Sequence, residues 1–296
     1  MQLTWKTSES ASAFYAAVGL ADGWEFADQR LESAIEPIMK EFQRFTASGS
    51  DARALLALMA QLSAGGCESN HALAEQSLRK SFGEAAVSEG DVSRLAAWTG
   101  DLKTACLAER NVQPNELLLR GGPLREQWEA RGPGMMKVIT QLTEPWLVAD
   151  QATVVLVQPA FGGHGVAHLP MNLVSFEAML TNADDSLPEV VRLAWLLAQL
   201  QCDLPIVAEQ VSPGRIERLA LLATIPPVLA AAERVELAQP SDSILARAVR
   251  AWRTVETEQE AAELAEVLAT WWEAYEAGAV NWPVAVAALD QMLDRS

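Results

Sequence analysis

Two histidines stand four residues apart in the segment GGHGVAH, residues 162–168. Imidazole nitrogens bind transition metals, and on a helix the spacing of His164 and His168 would place both rings on one face. The three glycines of this segment argue against a helix, and in an extended loop the same spacing carries less geometric information. One hypothesis is therefore a metal site, and the other is a glycine loop whose histidines are polar side chains only. A zinc site needs a third ligand, for which the nearest candidates are Glu177, Asp184, Asp185 and Glu189.

The chain on both sides of this loop has a layout that resembles one family. An apolar, β-branched run over residues 153–159 precedes the pentapeptide Pro188-Glu189-Val190-Val191-Arg192. Zincin metallopeptidases place a small sheet before a helix with the motif HExxH, in which two histidines hold zinc and the glutamate is the general base. Glu189 stands at the glutamate position, whereas Pro188 and Arg192 stand where the histidines would be.

This resemblance covers about 50 residues and fails at both metal ligands, so it implies at most a non-catalytic relative. The structural alternative explains the same three residues by helix chemistry. Pro188 suits the first helical position, Glu189 complements the positive end of the helix dipole, and Arg192 pairs with a nearby acid. Glu177, Glu189 and Arg192 are the candidate catalytic residues if the chain is an enzyme.

Other catalytic motifs are absent from the sequence. It contains no GxSxG nucleophile elbow and no GxxxxGK phosphate loop, and Cys106 and Cys202 lack the histidine- or glycine-rich surroundings of a thiolate nucleophile. Whether the chain is an enzyme stays open, but the incomplete motifs favour a non-catalytic role. No cofactor is predicted beyond the metal hypothesis for His164 and His168.

The net charge of the chain disfavours some classes of binding partner. The chain has 39 acidic and 22 basic residues and a formal net charge of −17, which repels phosphate backbones and anionic lipids. Nucleic acid and membrane surfaces are therefore not expected partners. The start resembles no signal peptide, no apolar run reaches the length of a membrane span, and Cys67, Cys106 and Cys202 are too few and too scattered for a disulfide framework. A cytoplasmic protein is expected.

The elements that must position these residues are mainly helices. Amphipathic helical patterns fill residues 9–107, and the helical signal returns from residue 187 to the end. Between them, seven glycines and prolines within residues 111–134 predict a boundary, which separates an N-terminal helical bundle, residues 1–111, from a C-terminal helical lobe, residues 112–296. The two lobes could also form one continuous domain.

The predicted fold class is predominantly α (α+β), with one small β element around residues 152–180. Residues 153–159 suit a strand that is buried on both faces, whereas the pattern of residues 173–180 fits either a strand or a short helix. The segments around residues 124–130 and 135–147 are expected to form two separate short helices, because Gly132, Pro133 and Gly134 stand between them.

Two functional hypotheses follow from the sequence. The first is an acidic, tryptophan-rich protein that binds another protein without catalysis, and it predicts an exposed apolar or acidic patch. The second is an enzyme or ligand-binding or metal-binding protein with its site in the Gly-His loop, residues 161–172. It predicts that His164, His168, Glu177, Glu189 and Arg192 converge on one pocket. The sequence does not specify the oligomeric state.

Overall fold

The computed structural model describes residues 1–45, 49–110, 112–179, 182, 184–212, 214–239, 241, 243–252, 254–278 and 280–294, except the side chains of Ser50 and Pro114. The chain is 66% helical with one small sheet, which confirms the predicted α+β class. Three ends of predicted segments lie outside the described residues, namely Asn111 at the lobe boundary, Leu180 at the end of the β element and Ser296 at the end of the C-terminal lobe.

The described residues form a sheet of four strands, and the sequence predicted one of them, at residues 153–159, without a helical alternative. The strands are β1 (Gln2–Thr7), β2 (Gln151–Val157), β3 (Gly165–His168) and β4 (Leu173–Glu177). Their spatial order is β1-β2-β4-β3, in which β1, β2 and β4 run parallel and β3 is an antiparallel edge strand. The ambiguous segment is therefore a strand at its start, and β1 was missed.

Two apolar cores lie on the two faces of this sheet. Successive side chains of a strand point to opposite faces, so Val154 and Leu156 of β2 enter the core built by the C-terminal helices. Val155 and Val157 enter the core built by the N-terminal helices. The sheet thus joins the two groups of helices, and the division of the chain near residue 112 stays a prediction.

The helices cover both faces of the sheet and supply most of both cores. Two of them begin with a capping box, in which a Ser or Thr side chain and an acidic side chain satisfy free amides at the helix start. None of them combines the length and hydrophobicity that crossing a bilayer demands, within the part of the chain that is described. The helices are α1 (Glu9–Ala21), α2 (Gln29–Phe42), α3 (Gly49–Ala64), α4 (Asn70–Phe82), α5 (Glu89–Ala108), α6 (Pro114–Arg120), α7 (Gly122–Leu142), α8 (Glu189–Ala198), α9 (Pro205–Ala208), α10 (Ile216–Ala223), α11 (Ile225–Arg234), α12 (Ile244–Ala251), α13 (Glu258–Ala277) and α14 (Trp282–Leu293).

Helix α7 corrects the prediction of two short helices. It runs unbroken through Pro133 and spans 21 residues. Proline removes one backbone hydrogen bond from a helix, but Trp128, Met136 and Ile139 are buried on the same helix, and the burial of this apolar face outweighs the lost bond. Gly132 fits against the indole, because a Cβ there would lie 2.3 Å from the Trp128 ring.

The candidate loop connects β2 to β3, and its glycines are required by geometry. Gly162 and Gly163 have φ angles of +75° and +108°, which side-chain-bearing residues rarely adopt. Gly165 at the start of β3 lets α8 approach the sheet, since a Cβ there would lie 2.4 Å from Leu196 Cδ1. The loop, the end of β4 and the start of α8 therefore meet at one place.

Candidate functional site

The carboxylate of Glu177, at the end of β4, holds the β2–β3 loop in place. Its side chain is fully buried. One oxygen accepts hydrogen bonds from the amides of Ala160 and Phe161 at 2.7 and 2.8 Å, and the other accepts from the amides of Gly163 and His164 at 2.7 and 3.2 Å. Four amide donors compensate for the removal of this carboxylate from water. Glu177 is therefore a structural anchor for the loop and is closed to solvent.

Arg192, one turn into α8, lies beside this anchor and is also buried. Its Nη2 donates to the backbone oxygen of Glu177 at 3.1 Å and forms an ion pair with the Glu189 carboxylate. The guanidinium carbon lies 4.5 Å from the centre of the Phe176 ring, in cation–π geometry. Burial raises the pKa of Glu189, the charge of Arg192 opposes that rise, and the nearby Glu177 adds to it. The Glu189 carboxylate, a candidate catalytic acid, is therefore held in an internal ion pair with Arg192.

The two histidines lie apart and in different surroundings. His168 lies four positions after His164 in extended chain, which corresponds to a span of about 13 Å between their backbones. His164 packs against the half-buried Trp24, with 4.0 Å between the ring centres. His168 shares a 3.0 Å hydrogen bond with Ser175 Oγ on the neighbouring strand. Burial lowers the pKa of His168 to about 4, so its imidazole is neutral at physiological pH.

The structure brings together three of the five predicted side chains, in the protein interior. Arg192 contacts the Glu189 carboxylate and the backbone oxygen of Glu177, while the His168 ring contacts Ser175 instead of this cluster. Asp184, another suggested metal ligand, forms an ion pair with Arg247 of α12, and Asp185 is exposed. Within the described residues, no three His, Cys, Asp or Glu side chains are grouped so that they could hold a metal ion.

The loop borders an open cleft of about 990 Å³, which lies between the turn after α1 and helices α12 and α13. Trp24, Gly162 and Gly163 form one side, and Arg247 and Arg250 of α12 form part of the other. We call this space the arginine cleft, because the described residues that line it include three arginines, the third being Arg53, together with the acids Asp22, Glu25, Asp184, Glu256 and Glu258.

Ion pairs define the walls of the arginine cleft. Arg53 Nε lies 2.9 Å from Asp22 Oδ1, and Arg247 binds both oxygens of Asp184 at 2.6 and 3.0 Å. Burial raises the pKa of Asp22 and Arg53 opposes that rise. For Asp184 the effect of burial is outweighed by hydrogen bonds from Ser186 and Arg247, which lower its pKa.

Sequence reasoning found the loop but missed the other walls of the cleft. Trp24 is 140 positions from His164 in the chain, and Arg247 is 63 positions from Asp184. No spacing motif links residues that far apart. The available signal was weak: an aromatic residue in the turn after α1, and arginines on a short helix in an otherwise acidic C-terminal region.

Comparison with known proteins assigns this chain to no class of protein. No protein-family model matches the chain, and no significant similarity to a curated protein or to a solved structure was found. The resemblance to zincins therefore rests on the order of a small sheet and helix α8, with Glu189 and Arg192 at the motif positions.

Proposed function

We propose that this chain is a non-catalytic protein that binds another protein in the cytoplasm, and that the arginine cleft is its binding surface. The observation that carries the proposal is the internal ion pair between Glu189 and Arg192. Catalysis by a zincin-like site requires the glutamate to be free to take a proton from a metal-bound water. Here an arginine occupies the position of a metal ligand and binds that glutamate.

The start of α8 supports the same conclusion. Pro188 is the residue before the first helical turn, with extended ψ of 148°, and its side chain has no metal-binding atom. Glu189 and Arg192 are 7% and 3% exposed, so a substrate in the arginine cleft would not touch them. The site is stable as a buried, compensated ion cluster and lacks the open position of a catalytic centre.

The chemistry of the arginine cleft suits a protein segment. Arg250 is exposed in the cleft, and arginine and tryptophan are enriched at the centres of protein interfaces because they combine a large contact area with directed hydrogen bonds. Trp24 lies half-buried on the opposite wall. The backbone carbonyls of such a segment would accept hydrogen bonds from Arg250, and its side chains would pack on Trp24.

The net charge and the cysteines support the rest of the proposal. A formal charge of −17 disfavours nucleic acid and anionic lipid as the partner. Cys67, Cys106 and Cys202 are free thiols in the structure, which is typical of proteins in reducing compartments.

The test is site-specific photo-crosslinking inside the cells that produce the protein. A photoreactive p-benzoylphenylalanine replaces Ser243 or Glu258, which are exposed lining residues of the arginine cleft. The control position is Glu126, which is exposed on α7, away from the cleft. We expect one discrete cross-linked protein at both cleft positions and none at Glu126.

A matched pair of charge reversals tests the role of arginine. Arg250→Glu should reduce the cross-linked product several-fold, whereas Arg218→Glu, an exposed change on α10 with the same effect on net charge, should not. Equal cross-linking at Glu126 and Ser243, or no product at either cleft position, would contradict the proposal.

The alternative function, a metal or ligand site in the Gly-His loop, has one supporting observation. Gly162 and Gly163 line the arginine cleft directly, next to His164. Metal analysis of the purified native protein, beside a double variant His164→Ala/His168→Ala, separates the two ideas. About one equivalent of a transition metal that is lost in the variant would favour the alternative, whereas we expect the same low metal content in both proteins.

A further inference from the structure

A second cavity lies at the start of the β2–β3 loop, and none of the described residues lines both this cavity and the arginine cleft. Its volume is about 350 Å³, within the range of small-ligand sites. It opens where the parallel strands β1 and β2 end, at Thr7 and residues 158–160. Crevices beyond the carboxyl ends of parallel strands are common ligand sites. We call this cavity the strand-end pocket.

The first turn of α1 forms one wall of the strand-end pocket. Ser8 caps the helix by accepting a hydrogen bond from Ala11 N at 3.0 Å, and Ser12 N makes the first helical bond to Ser8 O. The amides of Glu9 and Ser10 precede that bond and have no partner within the helix. This end of the helix carries partial positive charge and suits an anionic group.

A buried side chain on this wall indicates a ligand. Ser10 is 1% exposed, and its hydroxyl oxygen has no hydrogen-bond partner among the described residues. A buried hydroxyl without a partner costs about 1–3 kcal/mol, so native structures seldom keep one without a reason. Ser10 lines the strand-end pocket, and rotation about its χ1 bond would bring the hydroxyl, which is closed to solvent in the structure, to a bound ligand.

The charged side chains around the pocket carry both signs of charge, and one pair of them forms an ion pair. Arg110 binds Glu9 at 2.5 Å, and Lys103 Nζ donates to the backbone oxygen of Glu68 at 3.0 Å. The Glu68 carboxylate accepts from Ser8 Oγ at 2.9 Å. With Glu109, the described lining residues carry three carboxylates and two cations. Such a pocket repels a multiply charged anion and suits a ligand that carries both signs of charge.

The remaining walls are apolar. Ala16, Leu31, Leu107, Leu117 and Cys106 line the same space, and they would contact the hydrocarbon part of a ligand. We propose that the strand-end pocket binds a small zwitterion with an apolar side chain, such as a free aliphatic amino acid. Its carboxylate binds Ser10 and the first turn of α1, and its ammonium group binds the carboxylates of Glu68 and Glu109.

Isothermal titration calorimetry with L-leucine tests the proposal on the full chain. Two analogues each lack one charged group: 4-methylpentanoate has no ammonium, and 3-methylbutylamine has no carboxylate. We expect L-leucine to bind at least about tenfold more tightly than either, because each loses one charge-assisted hydrogen-bonding group. Glycyl-leucine distinguishes a free amino acid from a peptide end. Tighter binding of inorganic phosphate than of L-leucine would overturn the assignment, as would equal affinity for L-leucine and 4-methylpentanoate.

Ser10→Ala separates a binding role from a structural role. Because the hydroxyl has no protein partner, its removal should leave the melting temperature unchanged or higher, while the affinity for L-leucine falls about tenfold. The matched control is Ser33→Ala, at an exposed position of α2, and it should change neither quantity. A lower melting temperature with unchanged affinity would overturn the proposal, and so would the absence of L-leucine binding at millimolar concentration. None of these results depends on whether the arginine cleft binds a protein.

Discussion

Replacement of Glu177 by glutamine should destabilise the protein although it changes few atoms. Each carboxylate oxygen accepts two backbone amides, Ala160 and Phe161 on one side and Gly163 and His164 on the other. The carboxamide of glutamine has one oxygen and one NH₂ group, so in either orientation two buried amides face a donor. At about 1–3 kcal/mol for each buried amide without an acceptor, the gross loss is about 2–6 kcal/mol.

Removal of the buried negative charge offsets part of this loss, so we expect a net decrease of about 3 kcal/mol in the free energy of unfolding. Urea denaturation followed by circular dichroism measures it, and thermal unfolding should show a decrease of about 6 °C. Glu126→Gln, the same change at an exposed position, should stay within about 0.5 kcal/mol. A loss below about 1 kcal/mol for Glu177→Gln would refute the view that this carboxylate holds the loop.

Three further substitutions test the packing and charges around the site. Gly165→Ala should cost about 1–3 kcal/mol, because its Cβ would meet Leu196, whereas Gly122→Ala, with open space around it, should not destabilise; both are measured by chemical denaturation. Because burial lowers the pKa of His168 to about 4 in the folded state, its neutral form stabilises the fold above pH 6.5, and that contribution is lost as the pH falls toward 4. A His168→Asn variant should therefore show up to about 3 kcal/mol less dependence of stability on pH in this window, and an unchanged profile would contradict the assignment. Arg192→Met leaves the Glu189 carboxylate buried without its ion pair and should cost about 3–5 kcal/mol in urea denaturation; a second change, Glu189→Gln, should recover much of the loss.

The parts of the fold that the sequence predicted are those with a strong local pattern. Strand β2 follows from its continuous apolar run, since both of its faces are covered by a core. The contact between Glu189 and Arg192 follows from their helical spacing of three residues. Strand β1 could not be predicted in the same way, because it is an edge strand of six residues whose partner, β2, begins more than 140 residues later.

The candidate site could be predicted only in part from the sequence, for a related physical reason. The positive φ angles of Gly162 and Gly163 are consistent with the glycine-rich sequence, but the identity of the group that their loop surrounds is a matter of tertiary structure. In the sequence, Glu177 looks like any acidic residue at the end of a strand, and its contacts with the loop are visible only in the folded structure. The breaker cluster around Pro133 predicted a helix boundary, and the structure has a continuous helix there because buried side chains outweigh one lost hydrogen bond.

Glu177 links the two proposed binding sites through one short loop. Its first oxygen holds the amide of Ala160, which lines the strand-end pocket, and its second oxygen holds the amide of Gly163, which lines the arginine cleft. A change at Glu177 should therefore weaken both L-leucine binding and cross-linking in the cleft. Ser10→Ala should affect only the former, and Arg250→Glu only the latter. This pattern follows from shared support of the two walls, because neither Ser10 nor Arg250 contacts the other site. If Glu177→Gln lowered only one of the two activities, the loop would not act as a single rigid unit.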